Sequence, residues 1–134
     1  AVELFLDDQG KLLINEVAPR PHNSGHLTIE AAMTSQFEQH LRTILGLPFG
    51  DCRFFHDAVM INLVGAKDFQ GTVVYEGLDD FLNIPGLHVY LYGKSETRPM
   101  RKMGHITLVG NDIEILRQTA KHIKQQVIVR SEES

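Results

Sequence analysis

Residues 14–26 read Ile14-Asn15-Glu16-Val17-Ala18-Pro19-Arg20-Pro21-His22-Asn23-Ser24-Gly25-His26. An apolar run ends in an amide and a carboxylate, and a Pro-rich loop follows. That loop carries a guanidinium, two imidazoles, an amide and a hydroxyl between Arg20 and His26. Pro19 and Pro21 fix their own φ and push the residue before each toward extended geometry, so the loop is stiff. Arg20 and His22 lie two apart, and in an extended segment their side chains leave from one side. A stiff loop that groups a permanent cation with titratable rings suits an anionic substrate.

Upstream, Ala1 to Leu6 has strand character, Asp7-Asp8-Gln9-Gly10 reads as a turn, and Lys11 to Val17 is the returning strand. Pairing Leu6 with Lys11 sets Glu3 opposite Ile14 and makes Glu3 and Glu16 diagonal neighbours on one face, roughly 7–8 Å apart. Two carboxylates so placed repel mildly, yet can share a hard divalent cation. A slip of one residue in register would put them on opposite faces.

Downstream, Leu27 to Leu45 has helical character, with Thr28 as the expected cap of a short first helix and Thr34 or Ser35 of a second. In the second, Phe37, Leu41, Ile44 and Leu45 recur at helical spacing and form an apolar face. His40 beside them reads as a helix-surface residue. Gly46 closes the helix, and Pro48 and Gly50 mark a loop. From Ala58 the texture changes to short strands, at 58–65, 87–92 and 105–109. A short helix is expected at 77–82, and a last helix through Ile113, Ile115, Leu116, Ala120 and Ile123, capped by Asn111 or Asp112. The tail Ser131-Glu132-Glu133-Ser134 reads as too polar to pack. Strands with interspersed helices give an α+β class with a small antiparallel sheet.

A second chemical cluster lies at Tyr92-Gly93-Lys94-Ser95-Glu96-Thr97-Arg98-Pro99-Met100-Arg101-Lys102-Met103-Gly104-His105. Lys94, Arg98, Arg101 and Lys102 concentrate positive charge in a chain whose net charge is −4. Such a local excess suits a phosphate, which lysine meets as a point charge and arginine as a fork. The acidic balance argues against a general nucleic-acid or membrane-surface binder. No apolar run approaches a membrane span and no signal-peptide pattern opens the chain. The single cysteine, Cys52, forms no internal disulfide, and no Cys cluster suggests zinc. With 43% hydrophobic residues in 134, the chain can build one domain or two small parts, and a cytoplasmic protein is expected.

The run from Asn15 to His26 and the Lys94 to Arg101 spacing with its Arg-Lys-Met-Gly-His continuation resemble one family. It is the ATP-grasp family of N5-carboxyaminoimidazole ribonucleotide synthetases, the ATPase subunit of phosphoribosylaminoimidazole carboxylase. The resemblance implies the end of an ATP-grasp domain over 1–50 and a small C-terminal α+β domain over 51–134. It implies a missing N-terminal part of the same enzyme, which would supply most nucleotide contacts, and a homodimer. By the same resemblance, Glu3 and Glu16 hold Mg2+ and Asn15 and Glu16 contact ATP. Arg20 and His22 are then the catalytic pair that orients bicarbonate or carboxyphosphate. Asn23, Lys94, Arg101 and Lys102 bind 5-aminoimidazole ribonucleotide, the last three through its phosphate. The formate-dependent glycinamide ribonucleotide transformylases share the Pro-Arg-Pro-His loop but typically follow it with Asp, which can pair with a primary ammonium. The neutral Asn23 suits an uncharged aromatic amine better. A non-catalytic interaction or dimerisation module is the third reading.

Overall fold

β1 (Val2–Leu6) and β2 (Leu12–Val17) form the first hairpin, and its turn is fixed by one side chain. The Asp7 carboxylate accepts the backbone N–H groups of Gln9 and Lys11 at 3.0 and 2.8 Å, and Gly10 takes φ 78°. A positive φ costs glycine no Cβ clash, which is why it ends this turn. The register differs from the expected one. Leu6 pairs with Leu12, Phe5 with Leu13 and Leu4 with Ile14, and the register then shifts between Glu3 and Leu4, so that Glu3 pairs with Glu16. Uninterrupted, that slipped pairing would set Glu3 opposite Asn15. The irregularity leaves Asn15 as the extra residue and brings the two carboxylates directly opposite each other, closer than the diagonal placement expected. A bulge re-aims side chains in this way.

The computed structural model describes residues 1–132, and the chain divides into two compact units, Ala1–Phe55 and His56–Ser134. In the first unit a 3-10 turn, Asn23–Gly25, leads into α1 (Thr28–Ala31) and α2 (Gln36–Ile44). The Ser35 hydroxyl caps α2 by accepting the Glu38 N–H at 3.2 Å. Thr28 does not cap α1; its hydroxyl instead donates to the Gly25 carbonyl at 2.6 Å and accepts the Gln36 N–H at 2.9 Å. The segment after α2 returns to α1, with Met33 N–H donating to Arg53 O and Phe55 N–H to Ala31 O, each at 2.9 Å.

The second unit is antiparallel throughout its two sheets. One has the order β3 (Asp57–Val64), β7 (Lys102–Gly110), β5 (Leu87–Leu91); the other has β6 (Glu96–Thr97), β4 (Gly71–Glu76), β8 (Ile128–Ser131). α3 (Ile113–Gln126) begins at Asp112, whose carboxylate accepts the Glu114 and Ile115 N–H groups. Leu116, Ala120 and Ile123 recur at helical spacing, and that stripe packs into one core with Ile61, Leu63, Met103, Ile106 and Leu108.

The α+β class is observed, but the second sheet lies outside the strands expected from the sequence. The tail is also corrected at its first residue. Ser131 pairs with Val73 and is only 9% exposed, because β4 offers its N–H and C=O groups to the end of the chain. Glu133 and Ser134 lie outside the described residues. The strand expected at 105–109 begins earlier, at Lys102, so His105 sits inside β7 and is buried. No helix among the described residues is long and apolar enough to cross a membrane.

Candidate functional site

The bulged hairpin presents Glu3 and Glu16 side by side, half exposed, and the Pro-rich loop brings His22 to them. His22 Nε2 lies 3.2 Å from a Glu3 oxygen and 3.3 Å from a Glu16 oxygen. The other ring nitrogen, Nδ1, accepts the Ser24 N–H at 3.3 Å and lies 2.8 Å from the Ser24 hydroxyl. An accepting Nδ1 leaves the ring proton on Nε2, where it faces both carboxylates and offsets their mutual repulsion. Asn15 completes the group, its amide donating to Glu3 at 3.1 Å. One ligand atom from each of Glu3, Glu16 and His22 falls within 4.8 Å of the others.

This donor set fits a hard divalent cation. Two carboxylates supply oxygen ligands, and their partial exposure leaves room for water to complete a shell. His22, with its N–H turned toward the carboxylates, acts as their hydrogen-bond donor.

Arg20 and His22 have different surroundings in the folded loop. Arg20 lines a cavity of about 620 Å³ within the first unit, together with Ala18, Gln39 and His40, and His22 is absent from that lining. The guanidinium donates to its neighbour's carbonyl, Pro21 O, at 3.0 Å, a curl that the expected extended geometry lacks. No carboxylate is among its lining residues, and Arg20 is the permanent side-chain charge there. The side-chain amide of Asn23 makes no hydrogen bond among the described residues and keeps its donors and acceptor available.

One residue of this site escaped the sequence reading. Gln36 Oε1 accepts the His22 N–H at 2.9 Å, while its Nε2 donates to His22 O and to His26 Nδ1, both at 2.8 Å. His26 is thereby held away from the carboxylates, and its ring stacks on Phe37 with centroids 5.4 Å apart. The only sequence signal was the position of Gln36, directly after a helix-capping serine.

In the second unit the loop between β5 and β7 gathers the cations. The Lys94 ammonium donates to Lys102 O and lies 5.6 Å from the Tyr92 ring centroid, within cation–π range. Arg101 Nη1 donates to Glu96 O at 2.8 Å. None of Lys94, Arg98, Arg101 and Lys102 is in an ion pair among the described residues, so their charge is uncompensated. Lys94 and Arg101 are partly buried, whereas Arg98 and Lys102 are exposed. Tyr92 anchors the loop to the core. Its hydroxyl lies 2.9 Å from His105 Nδ1, and His105 stacks on Tyr90 with centroids 4.7 Å apart. Burial pushes the Tyr92 phenol above its ordinary pKa, so it stays a neutral donor.

The ATP-grasp domain family matches residues 1–37, and the phosphoribosylaminoimidazole carboxylase C-terminal domain family matches residues 58–119. N5-carboxyaminoimidazole ribonucleotide synthase from Mycobacterium tuberculosis is 50% identical over 123 residues, covering 90% of this chain and 28% of that protein. The crystal structure of the synthetase from Thermotoga maritima aligns with TM-score 0.94 and 51% identity, over 98% of this chain and 36% of that one. The Aspergillus clavatus synthase, solved with ADP and 5-aminoimidazole ribonucleotide, aligns with TM-score 0.80 and 32% identity, over 92% of this chain and 33% of that one. This chain spans 21–32% of the length of the curated relatives it matches. With both halves matched in order, the chain belongs to the ATP-grasp family of N5-carboxyaminoimidazole ribonucleotide synthetases.

Proposed function

We propose that this chain is part of an ATP-dependent carboxylating ligase of purine biosynthesis. The reaction joins 5-aminoimidazole ribonucleotide to bicarbonate at the expense of ATP, giving N5-carboxyaminoimidazole ribonucleotide, ADP and phosphate. The observation that carries the reading is the facing pair Glu3 and Glu16 with the His22 N–H between them. Bicarbonate is a weak nucleophile and its carboxyl a weak electrophile, so its carbon must be activated as carboxyphosphate before the amine of the ribonucleotide attacks.

Mg2+, held by Glu3 and Glu16, would neutralise charge on the transferring phosphoryl group and its ATP donor. Asn15 orients the Glu3 carboxylate and, with Glu16, faces the nucleotide phosphates. His22, turned toward the carboxylates, sits where a proton can be held or passed as the amine adds. Arg20 supplies the permanent charge that orients bicarbonate or carboxyphosphate. Asn23 meets the ribonucleotide with a neutral amide, in keeping with an uncharged aromatic amine. Lys94 and Arg101, assisted by Lys102, take its phosphate, since their charges are unpaired and two of the three are partly desolvated. The cytoplasmic homodimer expected from the family belongs to the same proposal.

Titration of Mg2+ against turnover in the full-length protein and in its Glu16→Gln variant tests the reading. The variant should need about tenfold or more Mg2+, as expected for one charged contact worth about 1.5–3 kcal/mol, while its Michaelis constant for the ribonucleotide stays nearly unchanged. Superimposable Mg2+ curves would assign Glu16 to a merely solvated strand face.

A further inference from the structure

The geometry points to Gln36 as the positioning residue for His22, an inference that rests on the role given to His22 above. A primary amide offers an acceptor oxygen and two N–H donors, and here both atoms are turned to the two histidines. Oε1 takes the His22 N–H, and Nε2 reaches both His22 O and His26 Nδ1, at 2.8–2.9 Å throughout. Gln36 thus pairs with both backbone groups of His22, whose carbonyl also accepts the Gly25 N–H at 3.0 Å, and holds that residue at φ −120°, ψ 150°. From that backbone the ring reaches the two carboxylates.

Other residue types fit this role poorly. Asparagine is one methylene too short to span from α2 to the loop. Glutamate lacks the donor and would set a negative charge against His22 O. Methionine fills the volume but makes none of the three hydrogen bonds. Gln36 is itself held, because its N–H donates to Thr28 Oγ1 at 2.9 Å and that hydroxyl donates to Gly25 O at 2.6 Å. Gly25 completes the arrangement. A Cβ there would lie 2.4 Å from Gln36 Oε1 and 2.6 Å from its Cδ, so the absence of a side chain at residue 25 is what admits the amide. The same contact separates the two imidazoles into different tasks, His22 toward the carboxylates and His26 against Phe37.

A double-mutant cycle in the full-length protein tests this. Gln36→Met should lower kcat about tenfold while the Michaelis constants for ATP and ribonucleotide move less than about twofold, since the amide's hydrogen bonds go to His22 and His26. Gly25→Ala, a single added methyl that pushes Gln36 aside, should lower kcat in the same way and carries the test if Gln36→Met does not fold. Gln36→Ala removes the group that the new methyl strikes, so adding Gly25→Ala to it should cost nothing further. Multiplying losses, or wild-type kcat in Gln36→Met alongside a crippled His22→Ala, would overturn the inference. Wild-type turnover in His22→Ala would instead overturn the role of His22 itself.

Discussion

The two units of this chain solve the burial problem in opposite ways. In Ala1–Phe55 the only buried apolar residues are Ala18, Ala31 and Ala32, while Leu4, Phe5, Leu6, Leu12, Leu13 and Ile14 of the hairpin stay 44–75% exposed. Those apolar side chains stay uncovered within their own unit, although the Glu3–Glu16 end of the hairpin meets His22. A lone hairpin is marginal in water. In the second unit Met103, Ile106 and Ile123 are fully buried and Leu108 nearly so, in one continuous core. The carboxylate–imidazole cluster therefore stands on a scaffold with little apolar burial of its own, whereas the cation loop stands on a scaffold with its own core.

The largest effect to expect from that contrast is in stability. Ile106→Ala should cost about 2–5 kcal/mol in the second unit, because it empties a fully enclosed site. Phe5→Ala in this chain alone should stay within about 0.5 kcal/mol, as for an exposed position. Hydrogen exchange on the chain would show the same ordering, with the β7 amides protected and those of β1 and β2 exchanging fastest. Equal protection in the two units would remove the contrast.

How much of this was legible in the sequence divides between local chemistry and contacts made across the chain. The hairpin, the helix starting after Ser35 and the helix after Asp112 follow from local turn and capping chemistry, which adjacent residues determine. The bulge at Asn15 does not, since a ladder slip depends on both strands at once. Nor does Gln36, whose partners lie 10 and 14 residues away and whose value comes from fitting against Gly25. The pairing of Ser131 was hidden because the tail it opens is polar by composition, whereas β4 lies beside it in the fold. The acidic pair and the cation run were legible as residue types, but only folding showed which groups are paired.

A smaller and more selective effect belongs to the cation loop. Arg101→Ala in the full-length protein should raise the Michaelis constant for the ribonucleotide about tenfold or more, the value of one charge-assisted phosphate contact of about 1.5–3 kcal/mol. The constant for ATP should barely move. Replacing His22 should do the reverse, losing turnover with substrate binding mostly kept. Equal effects of Arg101→Ala on both constants would mark it as a folding residue of the loop, since its guanidinium also holds Glu96 O.

The smallest effect tests whether the second scaffold merely carries its loop or also aims it. Tyr92 bridges the buried His105 and the Lys94 ammonium, with its hydroxyl on one and its ring face toward the other. Tyr92→Phe keeps the ring, hence the cation–π contact, and removes only the hydroxyl that fixes its tilt. One neutral hydrogen bond is worth about 0.5–1.5 kcal/mol, so the ribonucleotide constant should rise roughly two- to tenfold, less than for Arg101→Ala. Tyr92→Leu, which also removes the π face, should go further, and combining it with Lys94→Ala should add little because both act through one ammonium. If Tyr92→Phe instead lowers the melting temperature and leaves the constant alone, the hydroxyl serves the core only. The second unit would then hold Lys94 by its backbone path, through Gly93 at φ 67° and the Lys102 carbonyl, without help from the aromatic pair.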